Sequence, residues 1–146
     1  MSVKIYRADQ ITASLANIIL RGYADGEFVR IEQEADAFGD TVGTDGEVTR
    51  WMSKDPRATI TVILMASSDA NDALSALHEL DINQPGGAGV GVFQCRDNNG
   101  RSIYRAGSCW IAKAPNISYA REVPTREWKL RGVTDRNFVG GNITVG

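Results

Sequence analysis

Thr59-Ile60-Thr61-Val62-Ile63-Leu64-Met65-Ala66 is the stretch whose reading decides the fold. In an extended chain Ile60, Val62 and Leu64 fall on one side, and Thr59, Thr61, Ile63 and Met65 on the other. Both sides are largely apolar, so residues 57–66 predict a strand covered on both faces, in the middle of a sheet. The longest apolar run of the chain, residues 60–66, lies inside this strand; it is broken by Thr61 and is far too short to cross a bilayer.

Directly after this strand the period changes. Ser67 or Ser68 can cap a helix, and Asp69 and Asp72 suit its positive end. Ala70, Ala73, Leu74, Leu77 and Leu80 recur at helical spacing along one stripe. Asn83-Gln84-Pro85-Gly86-Gly87 ends the helix. Beyond it, Val90, Val92 and Phe93 begin a strand, Asp97-Asn98-Asn99-Gly100 turns it, and residues 103–112 return. Glu127-Trp128-Lys129-Leu130-Arg131-Gly132-Val133 alternates with Trp128 and Leu130 facing inward, and residues 137–145 predict a last strand.

On the N-terminal side, residues 14–23 carry Leu15, Ile18, Ile19 and Leu20, and residues 27–34 alternate. There Val29 and Ile31 point one way, and Arg30, Glu32 and Glu34 the other, giving a half-buried strand with a wet, mainly acidic face. Asp25-Gly26 between the two segments predicts a hairpin turn. Residues 35–47 have little apolar periodicity and three glycines, which predicts a long loop; residues 48–52 start another strand. Many short strands, one helix and one long loop predict a mainly β fold: two packed antiparallel sheets forming a β-barrel or sandwich, with one flanking α-helix.

The chain has 146 residues, one domain's worth, and enough for a core without metals or disulfides. Sixteen Lys and Arg face eighteen Asp and Glu, without a basic run, which argues against a protein that holds nucleic acid by its phosphates. Residues 1–7 are not followed by an apolar segment, so no signal peptide is expected, and Asn116-Ile117-Ser118 and Asn142-Ile143-Thr144 read as chance glycosylation patterns. Cys95 should sit opposite a residue near Ser102 to Tyr104, too far from Cys109 to bridge it. Both then read as reduced thiols.

A search for chemistry gives no catalytic, cofactor or metal site. His78 is the only histidine, and it reads as a border residue of the helix. Ser67 and Ser68 lack a nucleophile-elbow pattern. Asp36, Asp40 and Asp45 do not match an EF-hand. Gly86-Gly87-Ala88-Gly89-Val90-Gly91 fails the phosphate-loop spacings and precedes a strand. Two cysteines and one histidine cannot furnish a standard structural zinc site.

The order of elements nevertheless has a counterpart. A hairpin with an acidic face leads to a Gly/Asp-rich loop, then a strand ending near Trp51 and the apolar strand 59–66. A Ser/Asp-capped helix, a glycine-rich connector, a second hairpin and Trp128-Lys129-Leu130-Arg131-Gly132 follow. This resembles the tail tube proteins of contractile-tailed bacteriophages and, more distantly, the tube subunits of type VI secretion systems. The resemblance covers nearly the whole chain, 1–146, as one tail-tube domain. It implies a structural, non-enzymatic subunit of two roughly orthogonal sheets, six to a ring, with rings stacked into a tube whose lumen passes DNA without specific binding. It also implies tail sheath, tape measure, baseplate and tail terminator proteins as partners, and a place in the virion tail after assembly in the host cytoplasm. Carried over, residues 35–47 (Asp36, Phe38, Gly39, Asp40, Gly43, Asp45, Gly46) would reach the adjacent ring, and Arg30, Glu32 and Glu34 would face the lumen; the loop's own length and glycine content predict that it orders only on meeting a neighbour. A tailocin or secretion tube, or a small β-barrel ligand-binding module, are the alternatives.

Overall fold

The computed structural model describes residues 2–145. Among them are β1 (Val3–Lys4), a 3-10 turn (Ala8–Gln10), β2 (Ile11–Leu15), β3 (Ile18–Ile19), β4 (Val29–Gln33), β5 (Phe38–Val42), β6 (Val48–Met52) and β7 (Arg57–Met65). Helix α1 (Ala70–Asn83) follows, then β8 (Gly91–Asp97), β9 (Ile103–Lys113), β10 (Thr125–Phe138) and β11 (Thr144–Val145). Seven strands form one antiparallel sheet in the order β3-β2-β8-β9-β10-β7-β4, and β1-β11 and β5-β6 form two-stranded ribbons. The fold is mainly β and sandwich-like, because the long sheet curls on itself; it does not close into a barrel.

The apolar run explains the centre of this arrangement. β7 pairs with β10 on one side and β4 on the other. Ala58, Ile60, Val62 and Leu64 are fully buried on its inner face, and Thr61 on the opposite face is buried as well. Leu15 and Phe93 from one limb of the curl join Ile60, Leu64 and Leu130 from the other in a single core. Each such fully buried large side chain contributes roughly 1.5–3 kcal/mol relative to exposure. Gly132 lies in the same layer, where a Cβ would stand 2.9 Å from that of Ala106.

The helix closes one end of the curl. Asp69, not Ser67 or Ser68, holds the N-cap position and makes no side-chain cap bond; Ser68, one residue earlier, accepts the Ala70 N–H with its hydroxyl at 3.2 Å. Only Ala70 and Leu74 are buried, with Leu77 packed at the margin. The apolar stripe therefore does not dock along its whole length, and Leu80 and Ile82 face solvent. Trp128 of β10 pins the first turn, its indole N–H donating to Asn71 Oδ1 at 2.9 Å.

Several expected boundaries moved. The N-terminal hairpin joins β2 to β3 through Ala16 and Asn17, whose φ values of 50° and 68° suit a tight two-residue turn. Asp25-Gly26 also turns the chain, but β3 and β4 lie at opposite edges of the sheet and do not pair. Residues 35–47 are largely structured: β5 pairs with β6, with Phe38 opposite Met52, Asp40 opposite Arg50 and Val42 opposite Val48. Gly39 had suggested a loop; it is the place where the Trp51 ring crosses the ribbon, and a Cβ there would meet the ring at 2.1 Å. At the C-terminus, Asn137 and Phe138 belong to the 14-residue β10, and only Thr144–Val145 form the last strand, paired with β1. The register sets Cys95 opposite Tyr104 and Cys109 opposite Gly91, so the two thiols occupy different rungs.

Candidate functional site

Two features stand apart from the core: a charged sheet face and the β5–β6 ribbon. On β4, β7 and β10 the inward positions are mainly apolar, so alternation turns Arg30, Glu32, Arg57, Thr59, Thr61, Glu127, Lys129 and Arg131 to the outer face, together with Ile63, Met65 and Val133. The charges there are paired. Arg30 bonds Glu27 at 2.6 Å and Glu32 at 3.4 Å, and Lys129 meets Glu127 at 3.0 Å and Thr61 at 3.2 Å. Arg131 of β10 reaches past β7 to Glu34, 2.6 Å away, with both side chains about one-third exposed (33% and 31%). The Thr59 hydroxyl donates to the same Glu34 carboxylate.

At the end of this face, side-chain and backbone hydrogen bonds from Arg57 hold the Asp55 carboxyl down at about 2, and the Asp55 partner raises Arg57 above its ordinary value. The Glu27 hydrogen bond likewise raises Arg30. Asp55, Arg57 and Arg30 therefore stay ionised across the neutral range, and each cation of the face is engaged by a carboxylate. Among the described residues the face carries one carboxylate in excess of its cations, and no cation on it lacks a carboxylate partner.

The ribbon carries Phe38, Val42, Val48, Trp51 and Met52 to solvent. Cross-strand pairing sets Phe38, Asp40, Val42, Val48, Arg50 and Met52 on one side, with Trp51 over Gly39 on the other. The Arg50 guanidinium lies 3.7 Å from the Phe38 ring centroid, a cation–π contact. Gly43, Asp45 and Gly46 form the tip. There Asp45 Oδ1 accepts the Glu47 N–H at 3.1 Å, and Gly46 has φ 87°. Asp36 lies just before β5 and is exposed. A two-stranded hairpin is marginally stable alone, and this one leaves most of its apolar side chains exposed.

The sequence matches the family described as Bacteriophage PhiTE tail tube protein over residues 12–140. The chain belongs to this phage tail tube family. Structural protein ORF10 of Pseudomonas phage KPP10 is 32% identical over 147 residues, spanning 96% of this chain and 84% of the relative. A chain of the extended sheath–tube complex of the PVC extracellular contractile injection system has the same fold, with a TM-score of 0.59 at 9% identity over 94% of this chain and 91% of that one. The anti-feeding prophage tube-terminating cap gives 0.56 at 9% identity over 90% of both chains. In tail tube terms, the residues expected at the lumen (Arg30, Glu32, Glu34) share one sheet face, and those expected at the next ring (Asp36, Phe38, Gly39, Asp40, Gly43, Asp45, Gly46) share one ribbon. Sequence reasoning missed the cations that share this face: Arg131, which pairs with Glu34, Arg57, which pairs with Asp55, and Lys129, which pairs with Glu127. The outward charges Glu127, Lys129 and Arg131, alternating with Trp128 and Leu130, were the signal for two of the three.

Proposed function

We propose that this chain is the tail tube subunit of a contractile-tailed phage, non-enzymatic, with six copies per ring and rings stacked into a tube that conducts DNA during ejection. The observation that carries it is an open seven-stranded sheet with two free edges, β3 and β4, beside a projecting apolar ribbon. Free edges are aggregation hazards in a monomer and are satisfied when a ring closes. The surface area points the same way: the chain exposes 9591 Å², against about 7,300 Å² for a typical monomer of its mass.

In the tube, the β4-β7-β10 face lines the lumen. Its paired charges leave phosphates nothing to bind, so DNA slides through without specific contacts. The contractile-system likenesses support sheath and terminator proteins as partners, and the family supports tape measure and baseplate proteins, in a virion tail assembled in the host cytoplasm. The test is negative-stain microscopy of the purified protein. Rings or tubes with a central channel are expected; a monomer at every concentration contradicts the proposal.

A further inference from the structure

The ribbon's charged side has a match elsewhere on the molecule. Between α1 and residues 114–124 runs a groove of about 460 Å³, with Ala66, Pro115, Ile117, Tyr119, Pro124 and Trp128 among its walls. Ile117 and Tyr119 are 74% and 86% exposed, unusual for large apolar side chains in a protein that works alone. Two charges also line this groove, Asp72 from α1 and Arg126 from β10.

The ribbon side that bears Phe38, Val42, Val48 and Met52 likewise carries two charges in its middle, Asp40 and Arg50, directly opposite each other. Seven ion pairs form among the described residues, and none of these four charges takes part. Arg50 lies on Phe38 and Arg126 stands 5.5 Å over Tyr119, so each arginine is parked on an aromatic ring. An apolar side with an unpaired Asp and Arg at its centre thus faces solvent in one place, and an apolar groove with an unpaired Asp and Arg faces it in another.

We infer that the β5–β6 ribbon of one copy seats in the α1/114–124 groove of a second copy, Asp40 meeting Arg126 and Arg50 meeting Asp72. The area accommodates this. The excess of roughly 2,200 Å² over a typical monomer exceeds the ~800 Å² per partner of a standard interface, which leaves room for ring neighbours as well. The apolar side chains supply the burial, and the two charge pairs fix the register and direction of the ribbon. The second copy is the occupant favoured here because complementary halves of the seat lie on the same chain, which is what a head-to-tail stack of identical subunits requires.

This seat rests on the tube reading above, and the experiment separates the two. Wild-type protein is assembled beside Arg126→Asp, Asp72→Arg, the double change Asp40→Arg with Arg126→Asp, and the double change Arg50→Asp with Asp72→Arg. Tubes are quantified by sedimentation and microscopy. Each single reversal sets like charges together, so the critical concentration should rise about tenfold or more, and each double should return to within about threefold of wild type. Wild-type tubes with unaffected single variants, or with doubles no better than the singles, overturn the seat and leave the tube standing. Wild-type protein that forms no tubes overturns both. Asp72 is exposed and outside the core, so its pair decides the matter even where Arg126→Asp lowers folding yield.

Discussion

Reversing charge on the sheet face is the sharpest probe of what that face does. Five carboxylates (Glu27, Glu32, Glu34, Asp55 and Glu127) offset four cations (Arg30, Arg57, Lys129 and Arg131), so the patch is one charge negative. Glu32→Lys with Glu34→Lys moves it to about plus three, and does so six times in each proposed ring, since each reversal counts for two charges. Two unit charges 4 Å apart in water interact by only about 1 kcal/mol, but the same DNA would meet this wall along the whole tube.

The change also has a local cost. Glu34 and Arg131 are neither exposed nor deeply buried, so losing their ion pair should destabilise the subunit by about 1–2 kcal/mol, between the surface and buried cases. That lowers the melting temperature by about 3–8 °C, which still leaves a folded protein. The assay is binding of short duplex DNA to purified tubes across a salt series, with ejection rates from phage carrying the variant. Each phosphate newly neutralised steepens the fall of log affinity with log salt by about 0.9, so variant tubes should bind DNA with a clear slope and eject more slowly at low salt. A flat salt response and unchanged ejection at low salt would refute the placement of this face at the lumen.

Three other outcomes follow. Glu34 N–H donates to Arg57 O at 3.0 Å, so the chain ends on either side of the ribbon are already adjacent; replacing residues 36–55 by a short Gly-Ser turn should leave a cooperatively unfolding subunit that forms no long tubes, and normal tube lengths would count against the ribbon's role. Trp128→Phe removes the indole hydrogen bond to Asn71 and some packing volume, and should lower the urea midpoint by the equivalent of about 1–2 kcal/mol. Burial pushes the Cys95 thiol up to about 11 and Cys109 up to about 12. Because the folded values lie above the unfolded ones, the stability these thiols contribute is complete below about pH 9 and is lost as pH climbs toward 11–12; mass spectrometry should find both unmodified by iodoacetamide at pH 8 until denaturant is added.

Strand 57–66 was legible because both of its faces are apolar, and β10 because charge alternates with Trp128 and Leu130. The helix was legible in its first apolar turn, although its N-cap falls on Asp69 and not on Ser67 or Ser68, and the stripe continued to Leu80, which is 42% exposed. Of the ribbon, β6 falls on the strand expected over 48–52, whereas β5 was misread as loop for a physical reason. It buries almost nothing in one subunit, so no apolar alternation marks it, and Gly39 answers a tryptophan twelve residues away. The β2–β3 turn was missed because Ala16 takes a positive φ that its side chain does not advertise. The acidic side of β4 was read correctly as outward, while its neutralisation by Arg131 depends on a pairing across β7 that no local pattern encodes.

A reconstruction of the assembled protein by electron cryomicroscopy tests the central claim most directly. The account predicts a tube of stacked six-subunit rings, with Arg30, Glu32, Glu34, Lys129 and Arg131 on the channel wall. Particles without a channel, or a channel wall built from the opposite side of the sheet, would contradict it.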